Sequence, residues 1–600
     1  MNISTADLYG GLQYGTSQGI SAAALFEKFL NGNTGEQIQK NSLLKPVLDF
    51  IALERDKFLK KDITVLPWSA FKLFDTDGNR LEYEAHYFER RQRLCVLALS
   101  AWLWENPADI AALEDCIWAI CDEYSWCLPA HMAGTSLSAA ACEDNRKATN
   151  NTRLDLFACE TGFALAECCA MLEKHLAPAV TARVRGEVRR RVIQSYVEHG
   201  ELWNWELMEN NWCAVCAGSI AGAALYLAED DLSLAGILQK LMPTFNQYIK
   251  SFYPDGASAE GLSYWTYGMS FYVSFGDLLL QRTGGKINIF DDPQFKKIAA
   301  FQQQCYFPGG AVINFSDASD KDMFRIGLSC YLAEHIEGIK VPALPYKASY
   351  SLLDPCGRFT PALRDLVWAR ENIPITDDKP HVTVFPDAQW LLCSGDGETG
   401  FAAKGGHNDE SHNHNDVGNF IFYKKGKMAI CDLGAGEYTK DYFGDKRYEI
   451  FCNQSLSHNV PIINGCGQKA GREFEARDCR ISNDGGMALD IAGAYKIPEL
   501  LRLEREFSFN IHTGVLLLKD TFSFAENPLP VTERFISLFP PVPENGLVRI
   551  GGLCTLKSQI SPVISEVEHR DHKGKPVTVY TIDFNFLPKD TTLSVEFVIE

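Results

Sequence analysis

Four of the thirteen histidines fall between His407 and His458. His412, His414 and Asp416 occupy alternate positions in HNHNDVGNF (412–420), Asp432 follows in CDLG, and His458 lies in SHNV. If the first of these segments is extended, its alternate side chains share one face. Neutral imidazoles beside a carboxylate are ligands for a divalent transition metal, most often zinc. His414, Asp432 and His458, drawn from three segments, are the candidate ligands. The competing reading of the same residues is a hydrogen-bonded surface loop.

The elements that must position these groups show in the periodicity. Up to about residue 375, apolar residues recur at three-and-four spacing, as in YFERRQRLCVLALSAWLWE (87–105), DLFACETGFALAECCAMLEKHL (155–176) and CAVCAGSIAGAALYLAED (213–230). Such spacing predicts helices. Breaks at Asn106-Pro107, Pro178, Gly200 and Pro254-Asp255-Gly256 predict antiparallel helical hairpins, roughly ten to twelve helices in all. Past residue 380 the pattern alternates, as in HVTVFPDAQWLLCSG, GNFIFYKKGKMAICDLG, RLEREFSFNIHTGVLLLKDTFSF and TVYTIDFNFLP, which predicts strands. KKGK (424–427) and ENP (526–528) read as hairpin turns. The fold class is multidomain α+β, with a helical domain over 1–378, an antiparallel β-sandwich over 379–600, and a small β subdomain from about residue 530.

Composition narrows the function classes. The 600 residues carry 57 Lys+Arg against 77 Asp+Glu, a formal net charge of −20, so the field of the whole molecule repels nucleic acid and anionic membranes. A polyanion must therefore meet a local basic pocket. The first thirty residues lack a basic and then apolar leader, and no apolar run reaches the roughly 18 residues a membrane span needs. Nineteen cysteines scattered from Cys95 to Cys554 fit a reducing compartment, and a cytoplasmic protein is expected. Cys213 and Cys216 form a CxxC within a helical pattern and read as core. Nine of the eleven tryptophans precede residue 300, which puts the aromatic surface on which sugar rings stack in the helical half.

The runs HNHNDVGNF, CDLG, YTKDYFGDKRY (438–448) and SHNV (457–460) resemble, in order and spacing, the C-terminal signature of heparinase II/III-like polysaccharide lyases. WNWELMENNW (203–212) and PDGASAEGLSYWTYG (254–268) resemble that family's two active-site segments, so the resemblance spans about residues 120 to 465. It implies an incomplete α/α toroid followed by the β-sandwich, and cleavage of uronate polysaccharides by β-elimination. It also implies roles. Asn210 or Asn211 neutralises the substrate carboxylate, the competing role for such a pair being helix capping. Tyr264 serves as base and acid, with Tyr267, one helical turn on, as the fallback. His412 is the catalytic histidine beside the metal set. Tyr442 is a further catalytic tyrosine reaching into the cleft, with Tyr448 as second choice. His131, Trp212, Tyr267 and Arg447 contact substrate, Arg447 with Lys446 as a positive patch. His414, Asp432 and His458 hold the divalent metal, zinc, in a structural more than a catalytic role.

Elimination sets its own requirements. The C5 proton of a uronate becomes removable only once the neighbouring carboxylate is neutralised or hydrogen-bonded, and a base and an acid must flank the sugar. The expected activity is a lyase on glycosaminoglycan oligosaccharides of heparan sulfate, chondroitin or hyaluronan type, leaving 4,5-unsaturated uronate ends. The alternatives are an alginate lyase of the same fold, an α/α-toroid glycoside hydrolase using Asp255 and Glu260, and a catalytically silent carbohydrate-binding protein. The expected partner is an anionic uronate oligosaccharide or polysaccharide, with no nucleic acid and no membrane, bound by a monomer or a homodimer.

Overall fold

The computed structural model describes residues 3–132, 151–320, 324–343, 354–377, 379–544 and 547–600. Helices begin where a polar side chain can cap them. Asn106 accepts from the Ala108 amide ahead of a first-turn proline, Asp155 from Ala158 and Asn210 from Trp212, each satisfying a donor that a helix N-terminus leaves open. Among the described residues, twelve α-helices of eight or more residues precede residue 370, within the expected number. Leu156–Met171, Asn211–Leu227 and Leu262–Arg282 are buried on nearly every side and pack together. Their approach needs glycine, since a Cβ on Gly222 would meet the Phe163 ring at 2.5 Å. Asp231–Lys250 returns along Asn211–Leu227 with a polar outer face. Among the described residues no helix is long and apolar enough to cross a membrane.

The named strands begin at His381. A five-stranded antiparallel sheet runs in the order His381–Phe385, Trp390–Gly395, Thr399–Lys404, Phe420–Lys424 and Lys427–Ile430. The last two strands turn at Lys425 and Gly426, both at positive φ, as KKGK predicts. This sheet is covered on both faces. Trp390, Leu392, Ile421 and Tyr423 join the helical core, while Leu391, Cys393, Phe401 and Phe422 join a second core shared with the other sheets. Alternation is thus present, but both sets are apolar. Each large side chain so buried contributes about 1.5–3 kcal/mol, which fixes the sheet against the helices.

The second core is closed by an eight-stranded sheet that includes Leu500–Asn510, Val515–Phe524 and Thr592–Ile599, and by a four-stranded sheet that includes Val531–Ser537 and Pro576–Phe586. Two expectations change here. The turn at 526–528 does not join paired neighbours, because Val515–Phe524 and Val531–Ser537 lie in different sheets. Strands past residue 530 interleave with earlier ones, Thr592–Ile599 pairing with Val515–Phe524 and Val531–Ser537 with Ile462–Ile463.

Candidate active site

A cleft of about 2030 Å³ is lined by both regions, by Asn211, Tyr264 and Tyr267 from the helices and by His412, Tyr438 and Lys573 from the sheets. Leu262–Arg282 carries Tyr264 and Tyr267 on its first turns, after Gly261 at φ +83. A Cβ there would press on the Phe315 carbonyl at 3.0 Å, so glycine lets this helix start against the segment 314–320.

That segment supplies Asp317, which the sequence reading missed. Its carboxylate is the centre of the site. Oδ2 accepts from His412 Nδ1 at 2.8 Å and Arg447 Nη2 at 3.1 Å, while Oδ1 accepts from His414 Nε2 at 3.0 Å and from the Tyr442 hydroxyl. Burial pushes this carboxyl up, but the two imidazoles and the Arg447 charge outweigh it and hold Asp317 well below the usual carboxylate range. The preceding Ser316 sits at φ +67 and His412 at φ +61. A non-glycine residue held there costs about 1–3 kcal/mol, offset by the bonds that fix both.

Residues 411–416 are a turn rather than the expected strand, because His412 reverses the chain. Asp416 consequently pairs with Lys404 at 2.8 Å and is not one of the converging ligands. His414, Asp432 and His458 do converge: their ligand atoms lie within 4.8 Å of one another and all three are buried. His414 Nδ1 is 3.1 Å from His458 Nε2, and Asp432 oxygens lie 4.0 and 3.5 Å from those nitrogens. Ligands in a zinc tetrahedron with bonds of about 2.05 Å stand roughly 3.3 Å apart. Protonation fits as well. His414 donates Nε2–H to Asp317 and His458 donates Nδ1–H to the Gln454 carbonyl at 2.8 Å, which leaves two lone pairs facing each other beside a carboxylate, an arrangement that calls for a cation between them. Asp432 is held by Asn419 Nδ2 and the Gly434 amide, both at 2.8 Å. The residues present therefore fit a divalent ion.

Tyr264 stacks on His412 with ring centroids 4.2 Å apart, and its hydroxyl lies 2.7 Å from that of Tyr438. Burial first, and then the Asp317 charge, raise the Tyr264 hydroxyl above the ordinary tyrosine range, so it rests protonated. Tyr442 borders the cleft without reaching into it. Its side chain is fully buried beneath the wall with its hydroxyl on Asp317, and Tyr438 occupies the position facing Tyr264. Tyr448 donates to Asn413 Oδ1 at 2.8 Å.

The asparagines divide. Asn210 caps its helix through Oδ1, bonded to the Trp212 amide at 3.0 Å, and so is the cap foreseen as the competing role. Asn211 is buried, with Nδ2 2.8 Å from Glu260 Oε1, and its Oδ1 has no partner among the described residues. Glu260 also approaches His412 Nε2 at 3.6 Å. Its carboxyl is raised by burial.

Further along the cleft, His131 bonds Asp155 at 2.8 Å and meets the Trp212 ring edge-on at 5.0 Å. Tyr267 is separate from Tyr264: its hydroxyl donates to Glu160, and the Arg358 guanidinium lies 3.9 Å over its ring. Burial pushes Glu160 up to about 7 despite Arg358 and Tyr267. Arg447 turns inward to Asp317 and the Asn413 carbonyl, so its charge is neutralised within the wall. Arg153, which donates to the His131 carbonyl at 2.8 Å, Lys440, Lys573 and Lys575 are the cations that border the cleft without an ion pair among the described residues. The two last lie at the tip between Pro562–Arg570 and Pro576–Phe586, and their only sequence signal was a basic turn. Cys213 and Cys216 are fully buried, as read.

Residues 377–539 match the family model described as Heparinase II/III-like, C-terminal. The chain as a whole is similar to three solved structures. One is heparinase III, 12% identical with a TM-score of 0.59, covering 95% of this chain and 92% of that one. A second is a mutant of the heparan sulfate lyase HepC from Pedobacter heparinus, 13% identical with a TM-score of 0.55, covering 95% and 89%. The third is the Streptomyces coelicolor A3 chondroitin AC lyase in complex with chondroitin sulphate, 11% identical with a TM-score of 0.55, covering 96% and 82%. At these identities the likeness is one of fold: a helical N-terminal region and a C-terminal antiparallel sheet region. No curated protein matches the chain by sequence.

Proposed function

We propose that this protein is a polysaccharide lyase that cleaves uronate-containing glycosaminoglycans of heparan sulfate or chondroitin type by β-elimination in the cleft. In this reading the helices form an incomplete α/α toroid over about 1–378 and the sheets a β-sandwich over 379–600. The observation that carries it is the stacking of Tyr264, from a helix, on His412, from the sheet region, at 4.2 Å in one cleft.

His412 donates Nδ1–H to Asp317, which leaves the Nε2 lone pair to take the C5 proton. Tyr264, protonated at rest, gives its proton to the departing glycosidic oxygen, and Tyr438 at 2.7 Å orients that hydroxyl. Turned over, the Asn211 amide presents Nδ2 where its Oδ1 has no partner among the described residues, and Nδ2 becomes a donor for the uronate carboxylate. The Asn210 Nδ2, unused in capping, is a second. His131 and Trp212 contact a neighbouring sugar, and Lys440, Lys573 and Lys575 supply the local positive charge that a chain of net charge −20 needs for a polyanion. His414, Asp432 and His458 hold a divalent ion, zinc by ligand type, which braces the loop carrying His412.

The hydrolase alternative is weaker. Asp255 accepts from the Asp387 and Ala388 amides at 2.8 and 3.1 Å, tying the 254–256 turn to the sheet region, so it does not stand opposite Glu260 across a sugar. The test is incubation with heparan sulfate, chondroitin sulfate, hyaluronan and alginate, following ultraviolet absorbance of a conjugated uronate together with reducing ends. Both rise together in elimination. New reducing ends without absorbance would indicate hydrolysis and refute the proposal.

A further inference from the structure

We propose that Asp317 is a positioning residue that couples the metal centre to the imidazole taking the proton. Its effect on turnover rests on the lyase reading, whereas its effect on metal binding does not. The carboxylate presents four lone-pair sites and accepts four donors: His414 Nε2 and the Tyr442 hydroxyl on Oδ1, His412 Nδ1 and Arg447 Nη2 on Oδ2. The two histidines are thereby held in opposite tautomers. His412 keeps its Nε2 lone pair for the cleft, and His414 keeps its Nδ1 lone pair for the site it shares with His458 and Asp432. Only an acceptor without protons can fix both at once.

Asp317 enters from the helical region while all four donors come from 412–447, so the same carboxylate joins the two regions. Its placement is built in. Ser316 is fully buried in the left-handed region, with its hydroxyl on the Ala259 carbonyl at 3.3 Å, and Asn314 Nδ2 donates to the Asp432 carbonyl at 2.9 Å. The segment 314–317 thus touches the ligand loop at one end and the proton-transfer imidazole at the other.

Asp317→Asn keeps the shape but offers one acceptor oxygen and one amide donor, so one histidine must reverse its tautomer. Zinc affinity, measured in the purified full chain by competition with a chromophoric chelator, is expected to fall about 10–100-fold. With zinc saturating, kcat is expected to fall about 10²–10⁴-fold while KM moves less than about threefold, the pattern of a tautomer-holding carboxylate in a catalytic triad. Zinc affinity and kcat both within about twofold of wild type would overturn the proposal. Where no polymer is cleaved even by wild type, the lyase reading fails, and zinc affinity alone decides the coupling. If Asp317→Asn does not fold, Tyr442→Phe removes one donor from the same carboxylate. Both quantities are then expected to fall several-fold, and unchanged values would overturn the proposal.

Discussion

Glu160 shows how a buried group behind the cleft wall sets a pH dependence. Its carboxyl ordinarily titrates near 4.5 and is pushed up to about 7, chiefly by burial. A raised folded value means that the native state holds the proton more tightly, so this stabilisation is fully present below pH 4.5 and is lost as pH rises through 7. The span corresponds to about 3 kcal/mol. Glu160→Gln lacks this titration, so the Tm of wild type relative to the variant is expected to fall between pH 4.5 and 7.5, and a constant difference would contradict the assignment. At this scale the sequence marked the right residue types but not every partner. His414, Asp432 and His458 were legible because four of the thirteen histidines recur in a short stretch. Asp317, one of 77 acidic residues, lies in NFSDASD with no periodicity to distinguish it, and only the fold brings it to the histidines. Tyr438 and Tyr442 are four residues apart, and burial, which local sequence does not display, decides which faces Tyr264.

Among the elements, the loop 431–436 and the segment 314–320 are the contact on which the site depends. Gly434 stands at φ +62, and a Cβ there would lie 2.1 Å from the Ala318 carbonyl, while its amide donates to Asp432 at 2.8 Å. Gly434→Ala is therefore expected to cost at least about 1–3 kcal/mol and to weaken zinc binding as the two segments part. A Tm and a zinc affinity equal to wild type would show that the contact is not needed. Helices and strands were legible from period alone, and the KKGK turn from its residue types. The 411–416 segment was not, because one residue at positive φ turns an alternating pattern into a bend. The turn at 526–528 was misread because a hairpin and a crossing between sheets share the same turn chemistry.

Across the molecule, the helices and sheets meet through an apolar sheet buried on both faces and through the buried polar cluster around Asp317. A divalent ion held by that cluster would bind the folded state alone and stabilise it by about 2.7 kcal/mol at a hundredfold excess over Kd. Chelation is expected to lower Tm and zinc to restore it, and a Tm indifferent to chelator would remove the metal from the account. The division into helical and sheet regions was legible as a change of period near residue 380. The cleft between them was implied by the family resemblance and by no local pattern, since it arises from how the two regions pack.

The central claim is that a helix-borne tyrosine and a sheet-borne histidine act on one sugar. The rate at which Tyr264→Phe forms unsaturated uronate ends, compared with wild type at saturating polymer, tests it most directly. The account predicts a loss of about 10²–10⁴-fold, the scale of a positioned proton donor, with Tm little changed. A folded variant that turns over at the wild-type rate would contradict it.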